Sequence, residues 1–241
     1  MHVNAHGGHY GNAVQAALNG GHQVIAKLLI DSGADVNAEG GYYGTALQAA
    51  AYEGHEAIAE LLTENGADAN AQGGDYGSAL QAATEEGHEA IVKLLIEKGA
   101  DIHAQGGFYG DAPQLASHQG HEAIAKLLME KGADVNSQGG YYGNAFHTAL
   151  NGGHEAITKF LIDSGADVNV LGGYYGNTLQ AASHGGCKVI AKLLIEQGVD
   201  INTHQGEYGN ALQAASNGGH EAIAKLLIDS GADINAEGGC Y

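Results

Sequence analysis

The chain has 241 residues, nine lysines, no arginine and 28 carboxylates, a formal net charge of −19. Without arginine there is no bidentate reader of phosphate or guanine, so nucleic acid is not an expected partner. The apolar runs, such as IAKLLI and AIVKLLI, are far shorter than the roughly 18 residues of a membrane span and carry a lysine inside them, so no membrane partner is expected either.

The dominant signal is a period. Tyr-Gly steps fall at Tyr10, Tyr43, Tyr76, Tyr109, Tyr142, Tyr175 and Tyr208, each 33 residues from the last, and Tyr241 opens an eighth copy. A repeat of this length is one supersecondary unit that buries its apolar face only by stacking on its neighbours. The expectation is a single elongated domain over residues 1–241, about seven repeats with partial repeats at both ends.

Within a copy, the first element starts at a side chain able to accept from free helix N–H groups: Asn12, Thr45, Ser78, Asp111, Asn144, Asn177 or Asn210. The second copy then predicts a short helix from Ala46 to about Ala51, whose small alanines let a neighbour approach, ending at Gly54. His55-Glu56 opens a second helix with apolar Ile58, Leu61 and Leu62 at helical spacing, closing at Asn65-Gly66. Glu56, Glu89, Glu122, Glu155 and Glu221 sit in its first turn, where the helix dipole favours them. G-A-D-x-N and a glycine pair then lead to the next tyrosine as an extended, hairpin-like finger, with glycines for positive φ and the tyrosine as a brace.

The Gly-His steps (Gly21-His22, Gly54-His55, Gly87-His88, Gly120-His121, Gly153-His154, Gly219-His220), the L-L pairs and G-A-D-V-N at Gly33 to Asn37 make the chain resemble an ankyrin-repeat array from about Val3 to Gly239. The first-helix motif departs from the family's T-P-L-H, reading Thr45-Ala46-Leu47-Gln48, with His147 restoring the family residue in the fifth copy. The G-G-x-Y-G-x-A-L-Q-A-A variant resembles arrays in large fungal multidomain proteins, often behind a nucleotide-binding module that this chain lacks. The resemblance implies an all-α solenoid of stacked helix-turn-helix repeats with hairpin-like fingers, and a protein-binding function.

Motifs that would imply chemistry fail on inspection. The His-Glu steps lack the second histidine of a zinc-protease helix, holding Ala59, Val92, Ala125, Thr158 or Ala224 instead. The calcium-like stretch Asp35 to Gly40 would need a bidentate carboxylate at Ala46. G-G-x-Y-G has no phosphate-loop lysine. His184 and Cys187 stand three apart, but Cys187 occupies the repeating histidine position. No catalytic residue, metal or cofactor is therefore expected. Cys187 and Cys240 read as incidental thiols of a reducing compartment, which places the chain inside the cell, in the cytoplasm.

Function is then sought where the copies differ. The position before the finger tyrosine holds His9, Tyr42, Asp75, Phe108, Tyr141, Tyr174 and Glu207; the turn after the first helix holds Asn19, Tyr52, Glu85, His118, Asn151, His184 and Asn217. In the resembled family both columns line the concave side. The candidate partner-binding residues are Tyr42, Tyr52, Phe108, His118, Tyr141 and Tyr174, with an acidic patch of Glu53, Asp75, Glu85 and Glu86. Such a surface predicts a protein partner with apolar residues flanked by basic ones. Tyr42, Phe108, Tyr141 and Tyr174 are expected as a ridge with members roughly 10 Å apart, the helix-packing distance. The alternative is a structural spacer within a larger multidomain signalling protein. The cuts inside a finger at both ends suggest a segment of a longer array, or head-to-tail self-association through apolar ends at Val14, Ala16, Ala17 and Leu18 and at Ile223, Leu226 and Leu227.

Overall fold

The structure, a computed structural model, describes residues 4, 5 and 7–236; Val3, Cys240 and Tyr241 lie outside them. The described residues form fourteen helices and no strand beyond isolated bridges. The chain divides into two compact units, Met1–Gly107 and Phe108–Tyr241.

The first unit holds α1 (Ala13–Asn19), α2 (Gln23–Asp31), α3 (Ala46–Tyr52), α4 (Glu56–Glu64), α5 (Ala79–Glu85) and α6 (Glu89–Glu97). The second holds α7 (Ala112–Gln119), α8 (Glu122–Glu130), α9 (Ala145–Asn151), α10 (Glu155–Asp163), α11 (Thr178–His184), α12 (Lys188–Glu196), α13 (Ala211–Asn217) and α14 (Glu221–Asp229). Odd-numbered helices are the first helices of each copy and even-numbered ones the second. Within a unit each first helix packs on its own second helix and on the next first helix, as α3 packs on α4 and α5.

Every expected N-cap is one, from Asn12 to Asn210, each accepting from the backbone N–H three residues on. The glutamine of A-L-Q does more than fill a helix position. Gln48 Oε1 accepts from the Thr45 N–H at 2.7 Å, while its Nε2 donates to the carbonyls of Gly73 and Gly77 in the next finger, both at 2.9 Å. Gln180 repeats the arrangement on Asn177, Gln205 and Gly209. One buried amide thus ties a helix start to the neighbouring finger, satisfying groups that would be costly to bury alone.

The Gly-His histidine is a second tie. His55, His88, His154 and His220 each place Nε2 within 3.1 Å of a carbonyl at the end of the preceding copy's first helix, namely Leu18, Tyr52, His118 and His184. Cys187 takes over that role, its thiol donating to Leu150 O at 3.6 Å, and burial pushes the thiol up to about 12. The His184–Cys187 pair is therefore spent on separate structural contacts.

At Gly41, Gly74, Gly140 and Gly173, the second glycines of four finger pairs, the backbone leaves no room for a side chain. Gly74 (φ 62°) and Gly140 (φ 60°) would put a Cβ 2.4 and 2.3 Å from the carbonyl carbons of Tyr43 and Tyr109. Fingers can therefore close on one another.

The apolar ends differ from expectation. Ala16 is exposed and Leu226 half-buried, but Val14, Ala17, Leu18, Ile223 and Leu227 are buried, because α1 turns its face onto α2 and α14 onto α13. The large aliphatic residues exposed in the first copy are Val24, Ile25 and Leu28 on α2, and near the other end Ile228 and Ile234.

Candidate functional site

Two aromatic layers run along the fingers of the second unit. The fingertips are joined by backbone hydrogen bonds, Tyr141 N–H to Phe108 O (2.9 Å), Tyr174 N–H to Tyr141 O (3.1 Å) and Glu207 N–H to Tyr174 O (3.0 Å). This ladder brings neighbouring fingertips to sheet-like spacing, about 4.8 Å, while their helices remain a helix diameter apart. The Phe108, Tyr141 and Tyr174 rings consequently stack at 4.6 and 4.7 Å, which corrects the wider spacing expected from helix packing. Phe108 is 55% exposed and Tyr141 42%.

Beneath this ridge stands a column of the repeating tyrosines, Tyr109, Tyr142, Tyr175 and Tyr208, with the ridge rings edge-on against it. The turn histidines are bricks in the column. His118 lies between Tyr109 and Tyr142 at 4.5 and 5.2 Å, and His184 between Tyr175 and Tyr208 at 5.1 and 4.9 Å. His184 Nδ1 contacts Asn151 Oδ1 (3.1 Å) and Nε2 contacts the Tyr208 hydroxyl (3.3 Å), while Tyr175 donates to Asn151. Donating from Nδ1 and accepting at Nε2 is the pattern of a neutral imidazole. Burial lowers the pKa of both histidines, helped at His118 by His154 and opposed at His184 by a hydrogen bond to Asn217. Burial also raises the Tyr175 phenol.

The first unit builds the same two layers with different chemistry. Tyr42 stacks on His9 at 6.1 Å and its hydroxyl meets that of Tyr76 at 2.8 Å. Tyr52 packs between Tyr43 and Tyr76, at 5.7 and 4.4 Å. A carboxylate takes the place of an amide: Tyr43 donates to Glu53 Oε1 at 2.6 Å. Burial, then the Glu53 hydrogen bond, raises the Tyr43 phenol; burial, then repulsion from Glu86, raises the Glu85 carboxyl. Asp75 is exposed at the fingertip, its N–H bonded to Tyr42 O.

The structure thus brings Phe108, Tyr141 and Tyr174 together in one unit, and Tyr42, Tyr52, Glu53, Asp75, Glu85 and Glu86 together in the other. His118 and Tyr52 are half-buried within the columns, so they shape the surface more than they offer it. The sequence reading assigned the repeating tyrosines only to bracing a loop. The signal for the column was available in the turn position, where ring-bearing residues occupy alternate copies (Tyr52, His118, His184). Among the described residues no three His, Cys, Asp or Glu side chains converge as metal ligands would, and no helix is long and apolar enough to cross a membrane.

A sequence profile described as ankyrin repeats, in three copies, matches residues 13–106, 80–172 and 146–238. The chain belongs to the ankyrin-repeat family. Its fold agrees: the ankyrin repeat domain of human ASB11 superposes with a TM-score of 0.77 at 23% identity, over 91% of this chain and 97% of that one. Azaphilone pigments biosynthesis cluster protein L of Monascus ruber is 59% identical over 34 residues, 14% of this chain and only 7% of that protein's length. Ankyrin repeats are in general non-enzymatic protein-interaction modules.

Proposed function

We propose that this ankyrin array is a non-catalytic scaffold that holds a protein partner on the face built by its fingers and first helices. The observation carrying this reading is the ridge of exposed Phe108 and Tyr141 with half-buried Tyr174, at a position the scaffold does not require to be aromatic. Other copies place His9, Asp75 and Glu207 there, and in the second unit the Glu207 fingertip keeps the same backbone ladder bond. Bracing is supplied by the tyrosine column below. Exposed, rigidly stacked rings are suited to be interface anchors, since aromatics contribute large contact area at small entropic cost. The surplus of carboxylates favours a partner segment whose apolar residues are flanked by basic ones.

Capture from native lysate with the intact chain and with Phe108→Ala/Tyr141→Ala/Tyr174→Ala, each checked for folding by circular dichroism, tests the reading. Loss of the captured protein with the folded triple variant is expected. Equal capture by both would remove the ridge from the interface.

A further inference from the structure

The position at the end of each first helix varies between copies, and the two units fill it with rings of different acid–base character. In the second unit His118 stands between the Tyr109 and Tyr142 rings and His184 between those of Tyr175 and Tyr208. In the first unit Tyr52 fills the same place between Tyr43 and Tyr76. A phenol does not become a cation, whereas an imidazole does so near neutral pH.

The second unit is built around the uncharged ring. His118 Nδ1 is buried with no hydrogen-bond partner, a place that suits a bare acceptor nitrogen better than an N–H. His184 donates from Nδ1 to Asn151 and presents Nε2 to the Tyr208 hydroxyl, so a second ring proton would set two donors against each other. The helices α7, α9, α11 and α13 carry no carboxylate to balance a cation. Asp111 caps the far end of α7, Glu207 is exposed at a fingertip, Glu155 and Glu221 are exposed at the starts of α10 and α14, Glu122 on α8 is paired with Lys126, and Lys188 opens α12. His147 of α9, pushed down to about 4, stays neutral in mild acid. Facing the two rings instead are further imidazoles, His154 and His220, whose Nε2 atoms lie 2.9 and 2.7 Å from the His118 and His184 carbonyls. The flanking phenol faces attract a cation, but burial and repulsion from these imidazoles act the other way and lower both pKa values, against one hydrogen bond from Asn217 at His184.

The ridge rests on this column. Phe108, Tyr141 and Tyr174 stand edge-on to Tyr109, Tyr142 and Tyr175 at 5.1, 5.1 and 5.0 Å. We propose that His118 and His184 form an acid-sensitive lock on the ridge: uncharged, they complete the column and hold the ridge in place, and their protonation loosens the column and releases a partner bound on it. The release rests on the protein-binding reading above, whereas the loosening does not. A ring protonated less readily in the folded chain than in the unfolded one contributes stability that is complete above 6.5 and is lost as pH falls below it. Glu85 in the first unit, its carboxyl raised by burial and then by Glu86, has the opposite sign, so its protonation favours the folded form.

The test uses the full chain with isotope-labelled histidine and aromatic rings, followed by NMR from about pH 7.5 to about pH 5. His118 and His184 should titrate with midpoints below 6.5. In step with them, Phe108, Tyr141, Tyr142 and Tyr175 should lose the ring-current displacement that stacking gives them, while Tyr43 and Tyr76 keep theirs. His118→Tyr/His184→Tyr, which repeats the ring of Tyr52, should hold the ridge signals constant over this range. His118→Asn/His184→Asn, which repeats Asn151, is a second non-titrating variant in case the first does not fold. Ridge signals that stay fixed while both imidazoles charge, imidazoles that stay neutral down to about pH 5, or ridge signals that move equally in a folded variant would each overturn the proposal. These signals need no partner, so they decide the lock whether or not the ridge variant loses capture. Captured protein should be released from the wild type and retained by the folded non-titrating variant at about pH 5.5; retention by both would overturn the release.

Discussion

Replacing His147 by glutamine, the residue of the other first helices, isolates one energetic component of the second unit. His147 is fully buried in α9, with Nε2 3.2 Å from Thr178 Oγ1. Burial pushes its pKa from 6.5 down to about 4, against a weaker opposing pull from backbone groups of Tyr142 and Val170. The unfolded chain takes up this proton near 6.5 and the folded chain only near 4, so between those values the unfolded state holds more protons. The stabilisation is complete above the unfolded value and is lost as pH falls through this window. Each tenfold difference in proton affinity is worth about 1.4 kcal/mol, so the whole interval is worth about 3 kcal/mol, most of it gone by about pH 4.5. His118 and His184, also lowered by burial, and the carboxylates contribute pH dependence of their own, so the informative quantity is the difference between the wild type and His147→Gln. Urea unfolding followed by helix circular dichroism at about pH 7 and about pH 4.5 should show the wild type losing about 2 kcal/mol more than the variant. Because stacked repeats can open in stages, hydrogen exchange of α9 and α11 amides should place the loss there. Equal pH-dependent losses in the two proteins, or an imidazole titration of His147 by NMR with its midpoint near 6.5, would refute the reasoning.

Gln48→Ala leaves the Thr45 N–H and the Gly73 and Gly77 carbonyls without this partner, and should cost about 2–3 kcal/mol in urea unfolding. Leu115 is 4% exposed where other copies hold a small residue such as Ala49 or Ala82, and it offsets the small Pro113 side chain at the start of α7. Leu115→Ala should therefore destabilise by about 2–4 kcal/mol, and Pro113→Leu in that background should restore at least about 1 kcal/mol; no recovery would show that the proline shape is itself required. Cys187, buried and with its thiol pushed up to about 12, should react with a disulfide reagent at about pH 8 only on the timescale of local unfolding, and Cys187→His should be tolerated because histidine serves the same contact elsewhere.

The 33-residue period, the caps from Asn12 to Asn210 and the positions of both helices of each copy were legible in the sequence, because capping and helical periodicity act over three or four residues. The exchange of T-P-L-H for A-L-Q was visible too, but Gln48 could not be seen gripping Gly73 and Gly77, 25 and 29 residues away. The tertiary structure alone decided that Phe108, Tyr141 and Tyr174 stack through a fingertip ladder, that His118 and His184 are wedged between tyrosines, and that Glu53 accepts from the Tyr43 hydroxyl. It also decided which apolar residues the first copy exposes, turning Val14 and Leu18 inward and Val24 and Leu28 out. Each of these contacts joins residues whose separation depends on how far the finger folds back over its own first helix. That angle is fixed by glycines at positive φ and by close backbone packing, as at Gly74 and Gly140, and no pattern of neighbouring side chains encodes it.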